Sequence, residues 1–107
     1  MTPEEKIENL KLLIDTDLYE KYGEDITFNG KDSVTYIVEG LTAEDNGDIY
    51  VWLFDTNLNK QLGKKLMWYT FDENNDYIEL EDGSYEVKYD EELINTIFEV
   101  LGQKENW

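Results

Sequence analysis

The sequence predicts an α+β domain: an N-terminal helix, a five-stranded antiparallel β-meander and a C-terminal helix. Three observations lead to it. Apolar residues recur at helical spacing near both ends of the chain. The stretch between them is rich in β-branched and aromatic residues. Short turn dipeptides punctuate that stretch, and such short links join antiparallel neighbours.

Thr2-Pro3-Glu4-Glu5 is a helix start. Thr2 suits the cap, Pro3 the first helical position, and the two Glu the positive end of the helix dipole. Glu5 stands three residues after Thr2, as a capping box requires. Ile7, Leu10, Leu13, Ile14 and Leu18 follow on one face, and Gly23 is a stop, so one helix is expected over residues 3–22. At the other end Asp90 is a cap, with Glu91 and Glu92 in the first turn. Leu93, Ile94, Ile97, Phe98 and Leu101 form its buried stripe, and Gly102 is the expected stop.

Five strands are expected between the helices: 34–38, 49–54, 65–71, 77–80 and 85–89, with Ile26-Thr27-Phe28 as a short extra one. The run 49–54 is apolar on both faces, which predicts a central strand covered on both sides. Asn46-Gly47, Asn74-Asn75 and Asp82-Gly83 supply turn chemistry. The 107 residues suit a single domain, residues 1–107, with no internal repeat or linker.

Composition removes much of the functional menu. The chain has 26 Asp+Glu against 9 Lys+Arg, a formal charge of −17, and every base is Lys. Arg, His and Cys are absent. No disulfide framework, thiolate or imidazole is available, and a Ser-His-Asp triad cannot be assembled. Direct nucleic-acid binding is not expected of so acidic a chain. No apolar run approaches the roughly 20 residues of a membrane span. The N-terminus has no basic start followed by an apolar core, so no signal peptide is expected. These readings give an intracellular, cytoplasmic protein. With 40% hydrophobic and 14% aromatic residues, a folded domain is expected despite the charge.

Two stretches, Asp55-x-Asn57-x-Asn59 and Asp72-x-Asn74-x-Asp76, resemble the first half of a calcium loop. Lys60 and Leu66 in the first, and Tyr77 and Gly83 in the second, stand where an EF-hand needs Gly and Glu. Both are read as turns, and no metal or cofactor is expected. Paired carboxylates carry no signal for glycoside hydrolysis in a chain with 26 acids, and no enzyme activity is expected.

Loop parity organises the charge. In the expected meander the first and third connections share one end of the sheet. They hold Glu44, Asp45 and Asp48, and Asp72, Glu73 and Asp76. The fifth strand returns to that end, where the last helix begins with Asp90, Glu91 and Glu92. Nine carboxylates and no Lys are expected there, as the partner-binding site. Lys31, Asp32, Asp55, Lys60, Lys64, Lys65, Glu81 and Asp82 are expected at the opposite end. A chain of this length has a radius of gyration of roughly 13 Å and a diameter of about 33 Å, over which duplex DNA carries roughly 20 charges.

In charge, size and lack of catalytic chemistry the chain resembles the anti-restriction and anti-CRISPR proteins of phages and mobile elements. The likeness is compositional. It implies a small non-catalytic inhibitor that mimics DNA and binds the basic surface of a nucleic-acid-binding enzyme. Two alternatives stand beside it: an acidic immunity or antitoxin-type protein that neutralises a basic toxin, and an interaction domain whose acidity serves only solubility. Trp52, Trp68, Tyr36, Tyr50, Tyr69 and Tyr85 exceed what one small core hides, so some are expected to anchor a partner. Trp107 is expected either docked or available for contact.

Overall fold

The computed structural model describes residues 1–15 and 17–105; the expectation for Trp107 lies outside them. Its elements run α1 (Pro3–Leu13), α2 (Leu18–Tyr22), β1 (Thr27–Asn29), β2 (Thr35–Ala43), β3 (Ile49–Asp55), β4 (Lys60–Tyr69), β5 (Val87–Tyr89) and α3 (Glu91–Glu105). The strands pair antiparallel in chain order, β1-β2-β3-β4-β5. The α+β meander is therefore as the sequence predicts, with different strand membership.

The N-terminal helix starts on the expected capping box, in which Thr2 and Glu5 exchange hydrogen bonds. It does not continue to residue 22. The Asp17 side chain accepts from the Tyr19 and Glu20 backbone N–H groups and so starts a second helix, which Gly23 ends in the left-handed region. Ile7, Leu10, Ile14 and Leu18 stay buried across the break. The C-terminal helix is capped by Asp90, whose carboxylate accepts from the Leu93 N–H at 3.1 Å. It runs past Gly102 to Glu105, because its last turn is tied down: Lys104 pairs with Glu24, and Glu105 accepts from the Tyr22 hydroxyl.

Of the extra strand expected at 26–28, Thr27 and Phe28 belong to β1, and Tyr77–Leu80 is not a sheet strand. Residues 70–86 instead fold as two small hairpins, bridged at Phe71–Tyr77 and Glu79–Tyr85. β1 pairs only with residues 35–37 of β2, and β5 only with residues 67–69 of β4.

The helices cover one face of the sheet. Ile7, Leu10, Ile14 and Leu18 meet Val38, Val51, Leu53 and Leu66, and Ile94, Ile97 and Leu101 complete the core. Along β3 the burial alternates: Ile49, Val51, Leu53 and Asp55 are buried, whereas Tyr50, Trp52 and Phe54 are half-buried on the opposite face. The expectation that this strand is covered on both sides is corrected: its second face is closed only by its own aromatics and their neighbours. Bulges near Val38/Gly40 and Ile49/Tyr50 curl the sheet. The molecule measures 45 × 31 × 24 Å with a radius of gyration of 15.1 Å, longer than the sphere assumed from chain length.

Candidate functional site

Four connections share one design. In each, the first residue's N–H donates to the fifth residue's carbonyl, and the fourth residue's N–H donates to the first residue's carbonyl. They are Gly30–Val34, Glu44–Asp48, Asp72–Asp76 and Leu80–Ser84. The fourth residue of each, Ser33, Gly47, Asn75 or Gly83, has positive φ. This is a type I turn closed by a left-handed residue, a hairpin connection. Asp and Asn favour it because their side chains bond the backbone two residues on. The Asp72 carboxylate accepts from the Asn74 and Asp76 N–H groups, and Asp82 from that of Ser84. The Ser84 hydroxyl and N–H together hold the Asp82 carboxyl below its usual range. The calcium-like spacing at 72–76 is thus a turn. The stretch 55–59 is another, since Asp55 accepts from Asn57 and Leu58. Among the described residues no group of three or more His, Cys, Asp or Glu is placed to hold a metal.

Three of these turns gather the acids. The β2–β3 and β4–β5 connections lie at the same end of the sheet. Glu44 and Asp45 are exposed there, as are Asp72, Glu73 and Asp76. Gly47 lets the first turn approach the second segment: a Cβ there would strike the Tyr69 ring. Glu79, Glu81, Asp82 and Glu86 join them on residues 70–86. That placement reverses the expectation for Glu81 and Asp82. It follows because the fourth expected strand is a leg of a small hairpin and never crosses the sheet.

Asp48 lies at this end but is turned inward, and the three acids that begin α3 lie elsewhere. Asp48 is 5% exposed and works internally. Its carboxylate accepts from the Tyr69 N–H at 3.2 Å and pairs with Lys65 at 3.2 Å. The hydrogen bond to Asp48 raises the Lys65 pKa. A Lys is therefore drawn to the end expected to have none. Asp90, Glu91 and Glu92 are elsewhere. β5 pairs antiparallel with residues 67–69 of β4 and so leads away from this end, and α3 starts near the β1–β2 connection, where Lys31 pairs with Glu92 at 3.0 Å. Asp90 and Glu92 line a depression there together with Lys31 and Lys64.

Sequence reasoning missed the aromatic content of the hairpin segment as a unit. Tyr77 stands at its centre, with ring centroids 5.5 Å from Tyr69, 5.0 Å from Phe71 and 5.3 Å from Tyr85. Phe71, Tyr77 and Tyr85 are 49%, 41% and 50% exposed. Three large rings left this open, on a segment that carries seven carboxylates, form a desolvable patch. The signal available was the combination of Phe71, Tyr77 and Tyr85 with a base-free stretch over 66–87.

On the open sheet face Trp52 lies against Gly63, where a Cβ would come within 2.9 Å of its ring, and donates to the Thr42 hydroxyl at 2.9 Å. Tyr50 stacks beside it at 6.1 Å, and the Lys65 ammonium lies 5.8 Å from the Tyr50 ring centroid. Trp52 and Tyr50 are thus held by the chain's own groups.

Comparison of the chain with protein-family models, curated protein sequences and solved structures finds no match. Among the described residues no helix is long and apolar enough to cross a membrane.

Proposed function

We propose that this protein is a small non-catalytic inhibitor that occupies the basic nucleic-acid-binding surface of a partner protein. The partner is of the kind used in restriction or CRISPR defence, met in the cytoplasm of an infected cell. The observation that carries the reading is the segment 70–86: it holds seven carboxylates, no base and an exposed ring cluster, at the same end of the sheet as Glu44 and Asp45. Carboxylates fixed on turns supply the field a phosphate-binding groove is built to receive, and the rings supply area to desolvate at the centre of the contact. The scale fits: over the 45 Å long axis duplex DNA carries about 26 phosphates, the same order as the formal −17.

The test is capture of a partner from native lysate, followed by competition. Duplex DNA is expected to displace the protein from its partner, and the affinity to fall steeply with salt. Replacing Glu44, Asp45, Asp72, Glu73 and Asp76 by Gln or Asn is expected to weaken binding by at least about tenfold, since each exposed charge contact contributes some tenths of a kcal/mol. Binding indifferent to salt and to DNA overturns the polyanion reading. Unchanged inhibition by the five-site variant reduces the acidity to a solubility device.

A further inference from the structure

A groove of about 640 Å³ runs between α1, the inner face of the sheet and the second small hairpin. We propose that it is an arginine-binding groove, which seats an arginine side chain of the protein partner. The inference rests on the proposed function and specifies its chemistry.

The floor is apolar, with Ile7 and Met67, and suits the methylene stem of a long side chain. Tyr69, Tyr85 and Tyr89 stand along it as aromatic walls, and Tyr85 is half exposed. Glu4 and Glu8 on the helix side and Glu86 on the hairpin side provide negative charge on both rims. Lys11, the base in the lining, is held by Glu8 at 3.1 Å. Glu86 is positioned by the Thr70 hydroxyl, which donates to it at 2.7 Å. The negative character of the groove is felt by Tyr89: burial first, then the charge of Glu4, pushes its hydroxyl pKa up.

Such walls favour guanidinium over ammonium. A guanidinium is planar, weakly hydrated and stacks on ring faces while its N–H groups meet carboxylates; an ammonium is compact and keeps its water. The chain itself contains no Arg. Neither its own side chains nor those of a second copy can supply the occupant, so the groove is suited to a foreign protein segment.

The test is a titration of the full chain, followed by backbone amide NMR, with two capped peptides, hexa-arginine and hexa-lysine, at about 50 mM salt to limit screening. The arginine peptide is expected to bind at least about threefold more tightly. Its largest shifts are expected in α1 around Ile7 and in residues 84–89. Tyr85→Ala is expected to remove the arginine preference, while Tyr19→Ala, at a 60% exposed ring on α2, leaves it in place. Equal affinity for both peptides, with shifts spread over every exposed carboxylate, overturns the groove and leaves the polyanion reading standing. Binding of neither peptide overturns both. Groove shifts that grow with protein concentration in the absence of peptide assign the groove to self-association and overturn the proposal.

Discussion

Single residues decide how closely the turns can approach the sheet. Gly47 and Gly83 both have positive φ, 92° and 84°, which a Cβ disfavours. Only at Gly47 is the space also taken, by the Tyr69 ring. Gly83→Ala is therefore expected to lower stability by about 1 kcal/mol, and Gly47→Ala by roughly twice that. Urea midpoints of the two variants check the ranking, and equal losses would refute the close approach. These turns were legible in the sequence because their chemistry is local: Asn46-Gly47, Asn74-Asn75 and Asp82-Gly83 each fall where the structure turns. The role of Asp48 was not legible. Its partners are the Tyr69 N–H and Lys65, brought to it by the β3–β4 register, which no residue near Asp48 encodes.

At the scale of elements, the capping signals located helix starts well and helix ends badly. Starts at Pro3 and Glu91 follow from Thr2 and Asp90, whose side chains act within three residues. The ends depend on tertiary contacts. Asp17 interrupts the first helix with a cap of its own, and α3 continues through Gly102 because α2 and the Glu24 side chain hold its last turn. One of those ties is titratable. Burial, then the hydrogen bond to Glu105 and its charge, raises the Tyr22 pKa from 10.0 to about 12. A raised pKa means that the folded state holds the proton more tightly than the unfolded chain. Its contribution is then fully present below pH 10 and is lost as pH climbs toward 12. Tyr22→Phe is expected to lower stability by about 1 kcal/mol at neutral pH and to flatten the alkaline fall in melting temperature between pH 10 and 12. An unchanged alkaline profile in the variant would contradict the tie. The strand at 49–54 was legible from its continuous apolar run, but not that the helices cover only one of its faces. The strand pattern failed at 77–80, where the short run Tyr77-Ile78-Glu79-Leu80 suits equally well a small hairpin that never joins the sheet.

For the whole molecule, one misread strand redistributed the charge. Parity depends on counting every crossing, so losing the fourth expected strand moved Glu81 and Asp82 to the acidic end and reversed β5, which sent the start of α3 to the other. The acidic end survived because the six expected carboxylates on 44–48 and 72–76 lie on connections whose parity did not change. A formal charge of −17 on a body of these dimensions repels itself. Added salt is accordingly expected to raise the melting temperature between about 10 mM and 500 mM NaCl, as the screening length shrinks below the spacing of the acids. A scan across that range checks it. A falling melting temperature would mean that the Lys–carboxylate pairs outweigh the repulsion.

The brevity of the two flanking strands has a consequence for handling the protein. β2 and β4 extend well beyond the three-residue partners beside them, so the remaining outer margins of the sheet present backbone donors and acceptors with no strand alongside. Such margins are templates for stacking one molecule on the next. Their shared sign opposes such stacking at neutral pH. Acidification toward the isoelectric point of about 4.1 withdraws that protection, and turbidity or fibre growth is the expected fate of a concentrated sample there.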